Sequence, residues 1–263
     1  MKNRIRIPAG IHDKHSRLAW SFLKRILALP GVKVNRAAFL RRQLGSHFPA
    51  EQIEAAISSN PAKAGIGIRD IEGIANGSIR YHVSLAGAAA FGAGIPGGLA
   101  LLATVPADTT QYYAHALILA QKLAYLNGWP DLLEDGDFDD DTEHKVLILL
   151  GVMMGVTQAN SALKVITQAF SQEVAVRVPR KAFGKAVPYR LLKQTLRWIG
   201  ISLNKQLFAK GVSRVIPVVG GFVAAGTTAF TLRPIARRLQ KHLSQLEFAK
   251  APQDKQITIA IDP

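Results

Sequence analysis

The sequence predicts an all-α fold, a glycine-rich helical bundle with broken apolar helical hairpins. Three observations predict it. Apolar residues recur at helical spacing, as at Leu18, Phe22, Ile26 and Leu29. Helix stop and start signals such as Pro30-Gly31, Asn35 and Asn127-Gly128-Trp129-Pro130 divide the chain into helix-sized pieces. Three apolar segments are rich in glycine and poor in bulky side chains, a composition that favours closely packed helix backbones.

The elements follow in order. Residues 12–29 form a first helix, stopped at Pro30-Gly31. Asn35 caps a short helix carrying Phe39, Leu40 and Leu44. Another short helix follows Pro49, through Ile53 and Ile57, and ends at Asn60-Pro61. Residues 1–65 are thus a small basic helical region, 66–250 the main helical domain and 251–263 a loosely held tail. Only ITIAI, at 257–261, reads as strand-like.

From Val83 to Ala107 run 25 residues without a charge, eight of them Ala and five Gly, interrupted by Pro96, Gly97 and Gly98. Beyond Pro106-Ala107-Asp108 an amphipathic helix spans 109–127. The acidic run at 134–143 is a solvated loop, its last residues suited to the positive end of the next helix. That helix runs from Glu143 to about residue 166. Gly151 and Gly155 lie on one face of it, where a neighbouring helix can approach. An amphipathic basic helix at 189–207 sets Leu192, Leu196, Ile199, Leu203 and Leu207 against Arg190, Lys193, Arg197 and Lys205, with Trp198 near the boundary. The third glycine-rich segment, Val215–Leu232, holds Pro217, Gly220 and Gly221, and a basic helix with Arg237, Arg238, Lys241 and His242 follows.

Charge narrows the function classes. The net charge is +15 and the pI about 10.3. Between Glu173 and Glu247 there is no acid, while Lys and Arg occur 14 times. Such a field attracts anionic lipid or nucleic acid. Aromatics interleaved with Arg on a strand platform, or a helix-turn-helix, would mark a nucleic-acid binder, and neither is visible. The chain has no cysteine, so disulfides and thiolate metal sites are excluded. A charged amino terminus without an apolar run does not read as a signal peptide.

The ordered elements GAGIPGG, VPAD, QYYAHALILAQKLAYLNGW, GVMMGVTQAN and VIPVVGGFVAAGTT resemble the bacterial EcsC family over roughly residues 80–240. The resemblance implies a helical, membrane-associated bacterial protein and supplies no catalytic residues.

Motif tests exclude several chemistries. Gly92, Gly94 and Gly97 satisfy G-x-G-x-x-G, but Pro96 lies inside the pattern and no acid stands about 20 residues on, so a dinucleotide site is not expected. Asp135, Asp137 and Asp139 alternate as in a calcium loop. Asp140 and Val146 then occupy the positions that need Gly and Glu. No P-loop, nucleophile elbow or zinc-binding H-E-x-x-H appears. Asp108, Gln111 and His115 share a helix face at i, i+3 and i+7. They are the weak catalytic or small-ligand candidates. A plainer reading makes Asp108 an N-cap and the others satisfied polar groups, like Gln158 and Asn160. No metal or cofactor is expected.

Proline and paired glycines argue against simple membrane spans, and so do basic regions on both sides of the third apolar segment. The preferred expectation is a non-enzymatic, membrane-associated accessory protein at the cytoplasmic face of the cell membrane. Arg190, Lys193, Arg197 and Trp198 would meet anionic headgroups. The positions 96–98, 151, 155, 217, 220 and 221 would serve helix packing or hairpin insertion. A membrane protein complex is a further expected partner. The alternatives are a small-ligand binder or hydrolase-like enzyme at Asp108, Gln111 and His115, and a nucleic-acid binder.

Overall fold

The computed structural model describes residues 14–94, 100–132, 140–172, 195–197, 199 and 217–250. The fold is all-α, with no strand among the described residues. Its helices are α1 (Lys14–Leu27), α2 (Arg36–Leu44), α3 (Ala50–Ser58), α4 (Ile68–Gly94), α5 (Ala100–Leu126), α6 (Asp140–Met153), α7 (Thr157–Gln172) and α8 (Pro217–Ser244). A 3-10 turn at Glu247–Ala249 follows, and residues 195–197 are helical.

The local signals act as their chemistry dictates. Asn35 adopts an extended backbone and its side chain accepts from the Ala38 amide at 2.8 Å, starting α2. Gly128 ends α5 in the left-handed region (φ 87°). There Trp129 N donates to Ala124 O and Gly128 N to Tyr125 O, the paired bonds of a Schellman end.

Three elements differ from the sequence expectation. The helix expected from 143 to 166 is two helices. Gly155 (φ 78°) closes α6 with a second Schellman pair, Val156 N to Gly151 O and Gly155 N to Val152 O. Helical periodicity continued through this point because α7 resumes two residues later. Second, α5 begins at Ala100 rather than 109, so Asp108 lies inside the helix and not at an N-cap position. Third, the glycine-rich segment beginning at Pro217 and the basic helix after it are one continuous helix through Gly220, Gly221 and Pro234. Pro217 occupies the first helical position, where its missing N–H costs nothing.

Helices α4 and α8 share the most extensive contact, and α5 packs on both. The contacts fix directions. Glu72 and Asn76 of α4 face Gln240, Lys241 and Ser244 of α8, so these helices are antiparallel. Tyr112 of α5 bonds Thr231, and Asn127 Nδ2 bonds Gln240 Oε1 at 2.9 Å, so α5 runs parallel to α8. Phe22 of α1 meets Tyr113 of α5 edge-on at 5.6 Å, and Val32 and Val34, beyond the end of α1, bond Gln121.

Residues 14–66 share one hydrophobic cluster with α5, through Trp20, Leu23, Leu40 and Leu44. Two polar side chains hold this junction. Gln121 accepts from Val34 N and donates to Val32 O and Leu117 O, all within 3.0 Å. Buried Arg36 donates to Trp129 O at 2.9 Å and to the carbonyls of Ala56, Ile57 and Ser59 at the end of α3. A cation at those carbonyls also opposes the negative helix end.

Candidate functional site

The helix directions bring together stretches that are nearly free of charge. Residues 83–94 of α4, 100–112 of α5 and 217–232 of α8 occupy the same end of the bundle. These stretches carry one charged residue, Asp108. At 1.5 Å per residue the longest of them, 16 residues, extends about 24 Å. That is shorter than the ~30 Å hydrocarbon core of a bilayer. Accordingly, among the described residues no helix is long and apolar enough to cross a membrane.

Large apolar side chains are exposed around this pole. Phe230 is 82% exposed, Tyr81 59%, Leu18 53% and Leu85 41%. Tyr81, Ser84, Leu85 and Ala88 form one uncharged, solvent-facing strip of α4. Exposed Arg80 precedes this strip on α4 and exposed Arg233 follows the charge-free stretch of α8, an arginine collar at the base of the pole; Arg17 of α1 is exposed as well. Below them α8 continues with exposed Arg237, Arg238 and Lys241. Pro234 removes the amide that would bond the carbonyl of Phe230, which weakens the helix at this border.

A second constellation lies under the collar. His82 is buried, and its Nδ1 stands 3.0 Å from Nδ1 of half-buried His115. Lys122 Nζ donates to His82 Nε2 at 2.8 Å. An ammonium only donates, so His82 Nε2 accepts, its Nδ1 carries the proton, and His115 accepts in turn. The ammonium also sits 5.4 Å from the Phe39 ring centroid and 5.9 Å from that of Tyr81. These ring faces are its electrostatic partners in place of a carboxylate.

Burial, with Lys122, His115 and Arg42 nearby, pushes the His82 pKa down to about 3. Burial and then Lys122 lower His115. Burial and then Arg42 bring Lys122 down to about 8. The cluster is therefore a directed hydrogen-bond chain with two neutral imidazoles and one confined ammonium at pH 7. It can pass a proton toward His115. Among the described residues no three His, Asp or Glu side chains group as a metal site.

The sequence candidates are distributed differently from their expected set. His115 bonds His82, Gln111 is half-buried, and Asp108 is within α5 on the pole side of Tyr112. Gly151 sits where an added Cβ would stand 2.8 Å from Thr195 Oγ1 and 2.9 Å from the Cβ of Ala159. Gly155 serves a helix end, and a Cβ there would stand 2.9 Å from Arg238 Nη1. Arg197 is exposed. Arg190, Lys193, Trp198, Pro96, Gly97 and Gly98 lie outside the described residues. His82 and Lys122 escaped sequence reasoning, although a signal existed. His82 continues the buried stripe of Ile71, Ala75 and Ile79, and Lys122 interrupts a buried run from Leu119 to Leu126.

No family model, curated protein or solved structure matches this chain.

Proposed function

We propose that this protein is a peripheral membrane-associated accessory protein, EcsC-like in its ordered motifs. In this reading its charge-poor pole enters one leaflet while an arginine collar meets anionic headgroups. One observation carries the reading: α4, α5 and the distant α8 bring stretches whose one charged residue is Asp108 to the same end, and exposed Arg80 and Arg233 flank the stretches of α4 and α8 in sequence. Exposed Phe230, Tyr81 and Leu85 supply aromatic and aliphatic surface where bilayer and water meet. A basic residue near an anionic surface contributes about 1 kcal/mol, so the collar arginines add to the inserted apolar surface in reversible recruitment. The stretches are too short to span, so the expected insertion is shallow. The inner face of the cell membrane, whose anionic lipids match the collar, is the proposed location.

The test is flotation with phosphatidylcholine vesicles, with and without phosphatidylglycerol, at low and high salt. The reading predicts binding that requires the anionic lipid and weakens when Arg80 and Arg233 are both changed to Glu. Absence of flotation under every condition would refute it.

A further inference from the structure

The hydrogen-bond chain from Lys122 through His82 to His115 runs in one direction only. Lys122 Nζ occupies His82 Nε2 at 2.8 Å, so the hydrogen that His82 offers is on Nδ1, and His115 Nδ1 accepts it at 3.0 Å. A further proton on His115 Nδ1 sets two N–H groups against each other. A further proton on His82 Nε2 sets an N–H against the ammonium. Either proton leaves a donor facing a donor. The charged groups that face the rings are Lys122 of α5 and Arg42 of α2, both cations. Tyr81 of α4 meets His82 edge-on at 5.3 Å, and Phe39 of α2 faces the ammonium. Among the described residues no carboxylate takes part in the cluster, and Asp108 stands about two turns before His115 on α5.

The position of the chain gives such a clash leverage. His82 immediately precedes the stretch 83–94 of α4, and His115 closely follows the stretch 100–112 of α5. Past His82, the buried positions of α4 among the described residues are Ala86 and Gly87. Side chains this small bury little apolar surface each, so the hydrogen bonds are a large part of what ties α4 to α5 at this level. We propose that the Lys122–His82–His115 chain is an acid-sensitive latch, holding α4 to α5 while both imidazoles are neutral and parting the pole ends of the two helices when either takes a proton. Half-buried His115 is the ring that a solvent proton reaches first. Parted helices offer lipid their inner faces; that consequence rests on the membrane reading above, whereas the latch itself does not. Acid must favour the parted form. Parting returns both imidazoles toward the ordinary pKa of about 6.5. The closed form holds His82 at about 3 and His115 below its ordinary value. The closed form is therefore fully favoured above about pH 6.5 and loses ground as pH falls below it. Between about pH 7 and pH 5, His82 alone shifts the balance toward the parted form about 25-fold.

The experiment is hydrogen exchange of the full chain without lipid at about pH 7 and pH 5, with each rate corrected for its intrinsic pH dependence. Amides of residues 79–88 and 109–116 should lose protection about 25-fold at the lower pH, and those of α6 severalfold less. The double variant His82→Gln with His115→Gln keeps the direction of the chain, because each amide side chain both accepts and donates. It should lose the acid response, whereas His47→Gln, at an exposed position outside the chain, should keep it. If the double variant folds poorly, the comparison of α4 with α6 in the wild type still decides. Flotation with phosphatidylglycerol vesicles at the same two pH values should strengthen with acid in the wild type and not in the double variant. The latch is overturned by unchanged protection in the wild type, by equal acceleration in α6, or by an acid response that survives in the double variant. Loss of protection in acid without flotation at either pH upholds the latch and refutes the membrane reading, so the two proposals fail separately.

Discussion

Replacing Arg36 with Met should destabilise the whole bundle by about 3 kcal/mol. The side chain stem keeps its packing in Met, so the change isolates the guanidinium. Two of its acceptors, Trp129 O and Ala56 O, are in buried hydrogen bonds. A buried carbonyl left unpaired costs about 1–3 kcal/mol, giving roughly 2–6 kcal/mol for the pair. Removing a cation whose pKa burial lowers returns part of this, which places the net loss near the lower half of the range. For a chain of this size, about 3 kcal/mol lowers Tm by about 6–12 °C. Arg36→Lys should lose most of the same stability, because an ammonium cannot reach the carbonyls of α3 and Trp129 together. Circular dichroism at 222 nm during thermal and urea unfolding measures both variants. A loss below about 1 kcal/mol would refute the account of the junction. A two-step melt, with residues 14–66 unfolding first, would show that this region does not share the cooperativity of α5.

Other outcomes follow from the same geometry. Gly151→Ala should destabilise by about 1–2 kcal/mol in urea unfolding, because the contacts with Thr195 and Ala159 outweigh the ~1 kcal/mol helix propensity of Ala; a stabilised variant would contradict the packing. The lowered pKa of His82 means that the unfolded chain binds the extra proton between about pH 6.5 and 3, so stability falls with acidification through that window. His82→Gln should flatten that part of the Tm–pH profile, and an unchanged slope would count against the buried neutral imidazole. Lys122, lowered to about 8, adds a penalty that is full below pH 8 and relieved as pH rises toward 10.5. Lys122→Met should therefore raise Tm at pH 7 and remove the rise above pH 8. Asp108→Asn should tighten vesicle binding severalfold, since a carboxylate entering the bilayer is costly; weaker flotation would place Asp108 outside the lipid.

Much of the local structure was legible because single residues carry it. Asn35, Pro49 and the Asn127-Gly128 pair bounded their helices as their backbone chemistry requires. Gly155 is ambiguous in the sequence because a glycine four residues after another suits helix packing and helix termination equally. The positive φ that distinguishes them exists only once the chain has folded. Helix α8 was read in two parts because Gly220, Gly221 and Pro234 each weaken a helix locally, whereas packing along α4 holds it continuous. The His82–His115–Lys122 chain joins residues 33 and 40 positions apart, so no local pattern contains it. The convergence of the charge-poor stretches likewise depends on helix direction, which no single segment encodes.

The absence of cysteine makes the membrane claim directly measurable with single-cysteine probes. An environment-sensitive fluorophore at Ala88→Cys or Phe230→Cys, both exposed at the pole, should shift to the blue on vesicles containing phosphatidylglycerol and be quenched by brominated acyl chains. The same label at Gln245→Cys, exposed near the opposite end of α8, should remain in water and respond to iodide. Equal iodide quenching at all three positions on bound vesicles would contradict insertion of the pole.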